Sequence, residues 1–296
     1  MIPTWLKTFV LSGALLQTAF ALDLPKYRDI KTAQNGGVLE VTLHNQDSAI
    51  NLWGAGFQDG ITDIVRRLRN DSETKVVIFK SDVPKFFCAH FDLLMPGVET
   101  AGLKFAKLMH EISNLPQVTI GAIEGRARGG GNEFLLALDM RFASEPETLL
   151  GQTEIGVGLL PGGGGSQYLP RLIGRGLALE YLLSGNDINA KDAERIGWIN
   201  KAFPSSEEMY EYINGLTSRF RLFRLPALAA VKKAINVRSL PTLQDLVRDA
   251  ESVADHMSDP AVLALVSRAL AVTNNFTFGE VELNFGRDLP LLYEEK

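Results

Sequence analysis

The stretch from Val118 to Leu138 constrains this chain more than any other. A mostly apolar run, Val118 to Ile123, leads into Gly125-Arg126-Ala127-Arg128-Gly129-Gly130-Gly131-Asn132-Glu133, and a second apolar run follows from Phe134 to Leu138. The first run reads as a buried strand and the second as a buried helix. Three consecutive glycines between them let the backbone turn sharply and let a ligand approach without side-chain collision. A helix that starts there points free N–H groups, and the positive end of its dipole, at whatever lies in front. On this segment alone, an anion-stabilising site and a tight turn that binds nothing fit equally well.

The same alternation extends upstream. Val38 to His44 alternates like a strand, and Val76 to Phe79 is a continuous apolar run. Between them, Phe57, Ile61, Ile64, Val65 and Leu68 fall at helical spacing, and Leu103 to Leu115 repeats that pattern. Strand, helix, strand, helix, strand predicts an α/β core. Asp23 to Gly37 reads as polar and irregular. From Arg175 onward strand signals fade. Helices are predicted over Leu177–Leu183, Ala190–Ile196, Ser206–Phe223, Ala227–Val237, Leu243–His256 and Ala261–Val272, with Leu240-Pro241 and Asp259-Pro260 as stops and starts. No linker separates the two parts, so the helical tail is expected to pack on the core or on a neighbouring subunit. The 296 residues are enough for one large domain or two smaller ones. The expected division is a leader over 1–21, an α/β core over 22–225 and a helical oligomerisation region over 226–296.

A net charge of −5 argues against nucleic acid as a partner. The basic clusters Arg66, Arg67, Arg69 and Arg219, Arg221, Arg224 read as solvated helix faces, with a contact to an anionic ligand as the functional alternative. Cys88 is the only cysteine and the four histidines are scattered, so no disulfide forms within the chain and no zinc spacing emerges. No metal is expected. At the N-terminus, Lys7, the apolar run Phe9 to Leu16 and Ala19-Phe20-Ala21 fit a secretory signal peptide. Lys7, Ser12, Gly13 and Gln17 break a stretch already short for the ~20 residues of a membrane span, so no stable span is expected. Secretory or extracellular delivery is the expectation, an intracellular location the alternative. The sequons at Asn70 and Asn275 permit glycosylation on that route.

Glu133 lies in the first turn of the helix that follows the glycines, beside the proposed anion site. It reads either as an acid or base or as a residue that merely complements the helix dipole. Twenty-one residues later comes Gly151-Gln152-Thr153-Glu154-Ile155-Gly156, followed by Pro161 and Gly162 to Gly165. Two carboxylates and two glycine-rich loops around one helix form a constellation. These segments, together with Phe87-Cys88-Ala89-His90-Phe91-Asp92 upstream and Asp192-Ala193-Glu194-Arg195-Ile196-Gly197 downstream, resemble the crotonase (enoyl-CoA hydratase/isomerase) family in order and spacing. The resemblance runs from about Val38 and is strongest over Gly121–Pro204.

That resemblance implies a spiral of ββα turns with a helical C-terminal region that builds a homotrimer or a dimer of trimers. It implies an acyl-CoA thioester as substrate, with CoA as part of the substrate and no separate cofactor. The N–H groups of Phe91 and Gly130 would hold the thioester oxygen, Glu133 and Glu154 would be catalytic, and Ala89 and Gly129 would line the substrate site, Ala89 near the adenine. Retaining both glutamates favours hydration, with double-bond isomerisation a near neighbour. His90 stands where the family usually has glycine, read as a tolerated loop change or as a direct substrate contact. Thr153 replaces a common proline and loosens its loop. Cys88 reads as a small buried hydrophobe. Arg126 and Arg128 read equally as phosphate contacts and as surface ion pairs. Gly279–Lys296 lacks the usual closing pattern, so no CoA contact is assigned to it. Rival readings are weaker. Gly54-Ala55-Gly56 lacks the third dinucleotide-binding glycine, no glycine run precedes Lys-Ser or Lys-Thr, and Ser166 has no nucleophile elbow. The serious alternative is a secreted or lumenal crotonase-fold module that binds or assembles without catalysis.

Overall fold

Hydrophobic strands rich in Val and Ile are laid side by side by the helices that connect them. In this computed structural model residues 21–294 are described, so the leader read over 1–21 lies, but for Ala21, outside the described residues. β1 (Ile30–Asn35) and β2 (Val38–Leu43) pair antiparallel across Gly36-Gly37, both at positive φ. This hairpin corrects the irregular reading of Asp23–Gly37. Ile30 is the only buried residue of β1, so the strand carries no alternating apolar signal and exists through its pairing with β2.

Thereafter the chain repeats one unit. Helix α1 (Ala55–Leu68) leads to β3 (Val76–Ser81), β4 (Phe86–Cys88) and α2 (Val98–Ser113). The second turn is β5 (Val118–Ile123), β6 (Arg126–Arg128) and α3 (Gly130–Leu136), and the third is β7 (Met140–Ser144), β8 (Leu149–Gly151) and α4 (Gly165–Ser184). Each turn gives one longer strand to a six-stranded sheet, one short strand to a four-stranded sheet, and one helix. β9 (Ile188–Asn189), α5 (Ala190–Ile196) and β10 (Lys201–Phe203) complete both sheets, ordered β1-β2-β3-β5-β7-β10 and β4-β6-β8-β9. The result is a spiral of ββα turns. Strands β9 and β10 correct the all-helical reading beyond Arg175. At two and three residues they are too short to show periodicity.

The remaining chain is helical: α6 (Ser206–Phe220), α7 (Leu225–Ser239), α8 (Leu243–His256), α9 (Pro260–Val272), α10 (Glu280–Leu283), α11 (Phe285–Asp288) and a final 3-10 turn, Leu289–Tyr293. Thr242 and Asp245 form a capping box at the start of α8, and Asp259 caps α9 ahead of Pro260. Helix α8 packs on α2, and α9 packs on the 3-10 turn Glu154–Val157, so the tail returns to its own core. Every residue of α3 is buried. Phe134 on it meets Trp53 at 5.0 Å between ring centroids and Phe79 at 5.0 Å, which pins this short helix beneath both sheets. Among the described residues no helix is long and apolar enough to cross a membrane.

Candidate active site at a buried carboxylate pair

The turn between β6 and α3 brings the site together. Gly129 sits at φ 47°, ψ −127°, and a Cβ on Gly131 would lie 2.1 Å from the Cys88 carbonyl oxygen. Only glycine passes so close to β4. The close approach sets Gly130 beside the loop after β4: its own Cβ position lies 3.4 Å from the Phe91 nitrogen. At that loop Trp53 N–H donates to the His90 carbonyl at 2.9 Å, and Asp92 N–H donates to the Trp53 carbonyl at 3.1 Å. In such a parallel bridge the N–H of the middle residue, Phe91, faces the opposite side. Gly130 is the first residue of α3, whose N–H has no partner within the helix. Neither N–H meets an acceptor among the described residues. Helix α3 has only seven residues, so these act as two individual donors more than as the end of a long dipole.

Glu133 lies one helical turn on and is 4% exposed. Its Oε1 accepts from Gly163 N–H at 2.7 Å and Gly165 N–H at 2.9 Å, so the second glycine run cradles one carboxylate oxygen. Glu154 opens the 3-10 turn, half-buried, with Oε1 3.1 Å from where a Gly129 Cβ would stand. With the Gln152 amide turned to satisfy both its ends, its nitrogen donates to Glu154 Oε1 and Oε2 at 3.1 Å and its oxygen accepts from Asn132 Nδ2 at 3.1 Å. Asn132 in turn accepts from Trp198 Nε1 at 3.1 Å.

Both carboxyls hold their protons more tightly than an exposed glutamate. Burial raises Glu133, against the pull of the three glycine N–H groups, and Asp249 on α8 adds to the rise. Burial of the carboxyl likewise raises Glu154, and the charge of Glu133 raises it further. Glu154 keeps some residue exposure while its carboxyl end is dehydrated, so the upward direction holds for both. Two acids that oppose each other's ionisation tend to share one proton. Glu133 and Glu154 thus stand close enough for the charge of one to raise the other, beside the two free donors of Phe91 and Gly130.

A family model described as enoyl-CoA hydratase/isomerase matches residues 33–259. The chain belongs to this, the crotonase, family. It is 38% identical over 183 residues to the mouse "Enoyl-CoA hydratase domain-containing protein 2, mitochondrial", covering 60% of this chain and 61% of that protein. The bovine counterpart is 39% identical over 181 residues, covering 59% and 60%. The chain therefore spans about three fifths of the length of these curated relatives. A crystal structure of a candidate enoyl-CoA hydratase from Streptomyces avermitilis superposes with a TM-score of 0.85 at 36% identity, covering 92% of this chain and 99% of that one.

Within this crotonase fold the other residues singled out by sequence fall as follows. Ala89 is fully buried, its N–H on the Ile50 carbonyl and its carbonyl taking Arg128 N–H. Gly129 N–H donates to the Gly151 carbonyl, and its own carbonyl takes Glu133 N–H. Cys88 is buried, and burial pushes its thiol far up, as suits a hydrophobe. Arg128 is neither a phosphate contact nor a surface residue. It is fully buried, paired with both Asp187 oxygens at 2.7 and 2.8 Å, and it donates to the Glu282 and Leu283 carbonyls. Arg126 donates to Glu147 and to the Leu283 carbonyl. Arg66 and Arg67 pair with Asp63 on their own helix. His90 turns into a pocket formed by Phe276 and Glu282, which neither sequence reading foresaw. Gln152, Asn132 and Asp249 were missed as well. Gln152 stands two residues before Glu154, a legible signal; Asp249 arrives from a distant helix and gives none.

Proposed function

We propose that this crotonase-family chain is an enoyl-CoA hydratase, or an isomerase of the same substrate class, acting on an acyl-CoA thioester. The observation that carries the reading is the pairing of two buried carboxyls, Glu133 and Glu154, with two unpartnered donors, Phe91 N–H and Gly130 N–H. Addition of water to an enoyl thioester moves an electron pair onto the thioester oxygen. Donors fixed in advance stabilise charge where it develops, and losing one costs about 10²–10³ in rate. One carboxylate takes a proton from water as its oxygen bonds to Cβ, and the other carboxyl delivers a proton to Cα. The Gly163 and Gly165 N–H bonds fix one oxygen of Glu133 and leave Oε2 for this work. Ala89 and Gly129 belong to the proposed substrate wall. No cofactor beyond the CoA of the substrate takes part, and no metal has a role.

The test follows loss of enoyl absorbance with a short trans-2-enoyl-CoA, in parallel with direct binding of a CoA thioester. Turnover lost in both Glu133→Gln and Glu154→Gln supports the hydratase. Exchange of the Cα proton that survives one of the two substitutions points to the isomerase. Thioester binding without turnover rejects catalysis, and no binding at all favours the non-catalytic module.

A further inference from the structure

The tail between Phe276 and Tyr293, read from sequence only as part of the oligomerisation region, touches both halves of the proposed site. At one end His90 Nε2 meets Glu282 Oε1 at 3.3 Å, and the His90 ring stands edge-on to Phe276 with centroids 4.5 Å apart. At the other end the Tyr293 hydroxyl donates to the Gly156 carbonyl at 3.2 Å, in the turn that begins with Glu154. Leu289 fills the same turn, where a Cβ on Gly156 would fall 2.3 Å from Leu289 Cδ2. Arg128 holds the middle of the tail through the Glu282 and Leu283 carbonyls.

Glu282 is the unusual member. It is 1% exposed, and its Oε2 has no hydrogen-bond partner among the described residues. A buried carboxylate with one idle oxygen is costly unless something nearby uses its charge. His90 is that neighbour. Its Nδ1 faces the Phe91 carbonyl at 3.2 Å and its Nε2 faces Glu282, so each ring nitrogen meets an acceptor.

The peptide plane between His90 and Phe91 carries the free Phe91 N–H. One corner of that plane is fixed by the Trp53 bond to the His90 carbonyl, and the His90 side chain anchors its Cα. We infer that His90 and Glu282 are positioning residues that aim the Phe91 N–H, and that the tail is thereby part of the catalytic assembly. Glycine at position 90, the family's usual residue, offers the tail nothing to hold. The inference deepens the oxyanion reading proposed above and rests on it.

The test reads the hydrogen bonds on the thioester oxygen without needing turnover. The carbonyl stretch of a bound, chromophoric aryl-acryloyl-CoA is measured by difference infrared or Raman spectroscopy in the full chain. Wild type is compared with Glu282→Gln, His90→Leu and His90→Gln, and thermal midpoints are recorded alongside. The expected result is a downshifted carbonyl in wild type that moves back toward its solution frequency in Glu282→Gln and His90→Leu. His90→Gln, which keeps a donor near the Nε2 position, restores most of the shift. If wild type turns over an enoyl-CoA, Glu282→Gln and His90→Leu lower kcat about 10-fold and leave KM within about 2-fold, while His90→Gln recovers most of kcat, because the donor acts on charge that develops in the transition state. A wild-type downshift that persists in Glu282→Gln and His90→Leu overturns this inference alone. A bound thioester with no downshift in wild type overturns the oxyanion reading and this inference with it. Losses that track the thermal midpoint, with no rescue by His90→Gln, reduce the pair to a structural role and also overturn it.

Discussion

Glu133 and Glu154 were legible because each sits at a fixed offset from a glycine run, and glycine runs mark places where backbone must pass close to something. What holds the two carboxyls was less legible. The donors from Gly163 and Gly165 to Glu133 span 30 and 32 residues, and the His90–Glu282 contact spans 192. No local pattern encodes such pairings. Removing either proton-transfer group while keeping shape should lower kcat for enoyl-CoA hydration about 10²–10⁴-fold. The double variant should be little worse than the singles, because the two proposed proton transfers belong to one addition. A stability signature accompanies this. Folding raises the proton affinity of both carboxyls above that of the free side chain. A group raised in this way contributes stability at pH values below its unfolded value near 4.5, and that stability is lost as pH rises through the folded value. Glu154→Gln has no such loss. Its thermal midpoint should therefore gain on wild type as pH rises above about 4.5. A difference that stays flat with pH contradicts the raised proton affinity.

Among the elements, those that were long and one-sidedly apolar were read well, and those that exist only through pairing were not. Helix α8 ends where the sequence pattern ends, at His256. Strand β1 shows one apolar residue inward and β6 is three residues long, so neither announces itself. Yet β6 carries the element-scale lesson. Arg128, flanking the glycines, looked like a ligand for phosphate and is instead a buried tie between β6, Asp187 and the tail. Removing one partner from a buried ion pair costs about 3–5 kcal/mol, so Asp187→Asn should lower unfolding stability by about that amount in urea titration. Gly131→Ala should be comparably damaging for a different reason. The added methyl meets the Cys88 carbonyl at 2.1 Å, and the strain of overpacking is typically about 1–3 kcal/mol, or more when backbone must move. If Gly131→Ala leaves both stability and enoyl-CoA turnover intact, the close passage of α3 against β4 is not what shapes the site.

An α/β core was legible because strand and helix alternate early, and the spiral followed from the family resemblance, but how the outer surfaces are used is a question for the whole molecule. We propose secretory delivery with cleavage after Ala21, so that the mature chain starts at Leu22, whose N–H meets Gln34 Oε1 at 2.7 Å. Asn70 and Asn275 are both exposed for glycosylation on that route. Intact mass of the native protein that still includes Met1 or Ile2 rejects this. The second whole-molecule proposal concerns assembly. On α7 and the loop before it, Leu222, Val231, Ile235 and Val237 are 78%, 63%, 60% and 74% exposed. Beneath α7 lies a largely apolar cavity of about 610 Å³ whose walls include Tyr168, Phe223, Leu228 and Ile235. Leaving aliphatic surface in water forgoes about 25 cal/mol per Å², and Val231 and Ile235, one turn apart on the same face of α7, are candidates for burial on association. Homo-oligomers close by symmetry. A homotrimer or a dimer of trimers, the assembly the family resemblance implies, is proposed, with a light-scattering mass near three or six times that of one chain. A charge on the exposed stripe, as in Val231→Asp with Ile235→Asp, should shift the mass toward the monomer while leaving far-ultraviolet circular dichroism unchanged. A wild-type monomer across micromolar concentrations defeats the trimer, and an oligomer indifferent to the double substitution moves its interface away from α7.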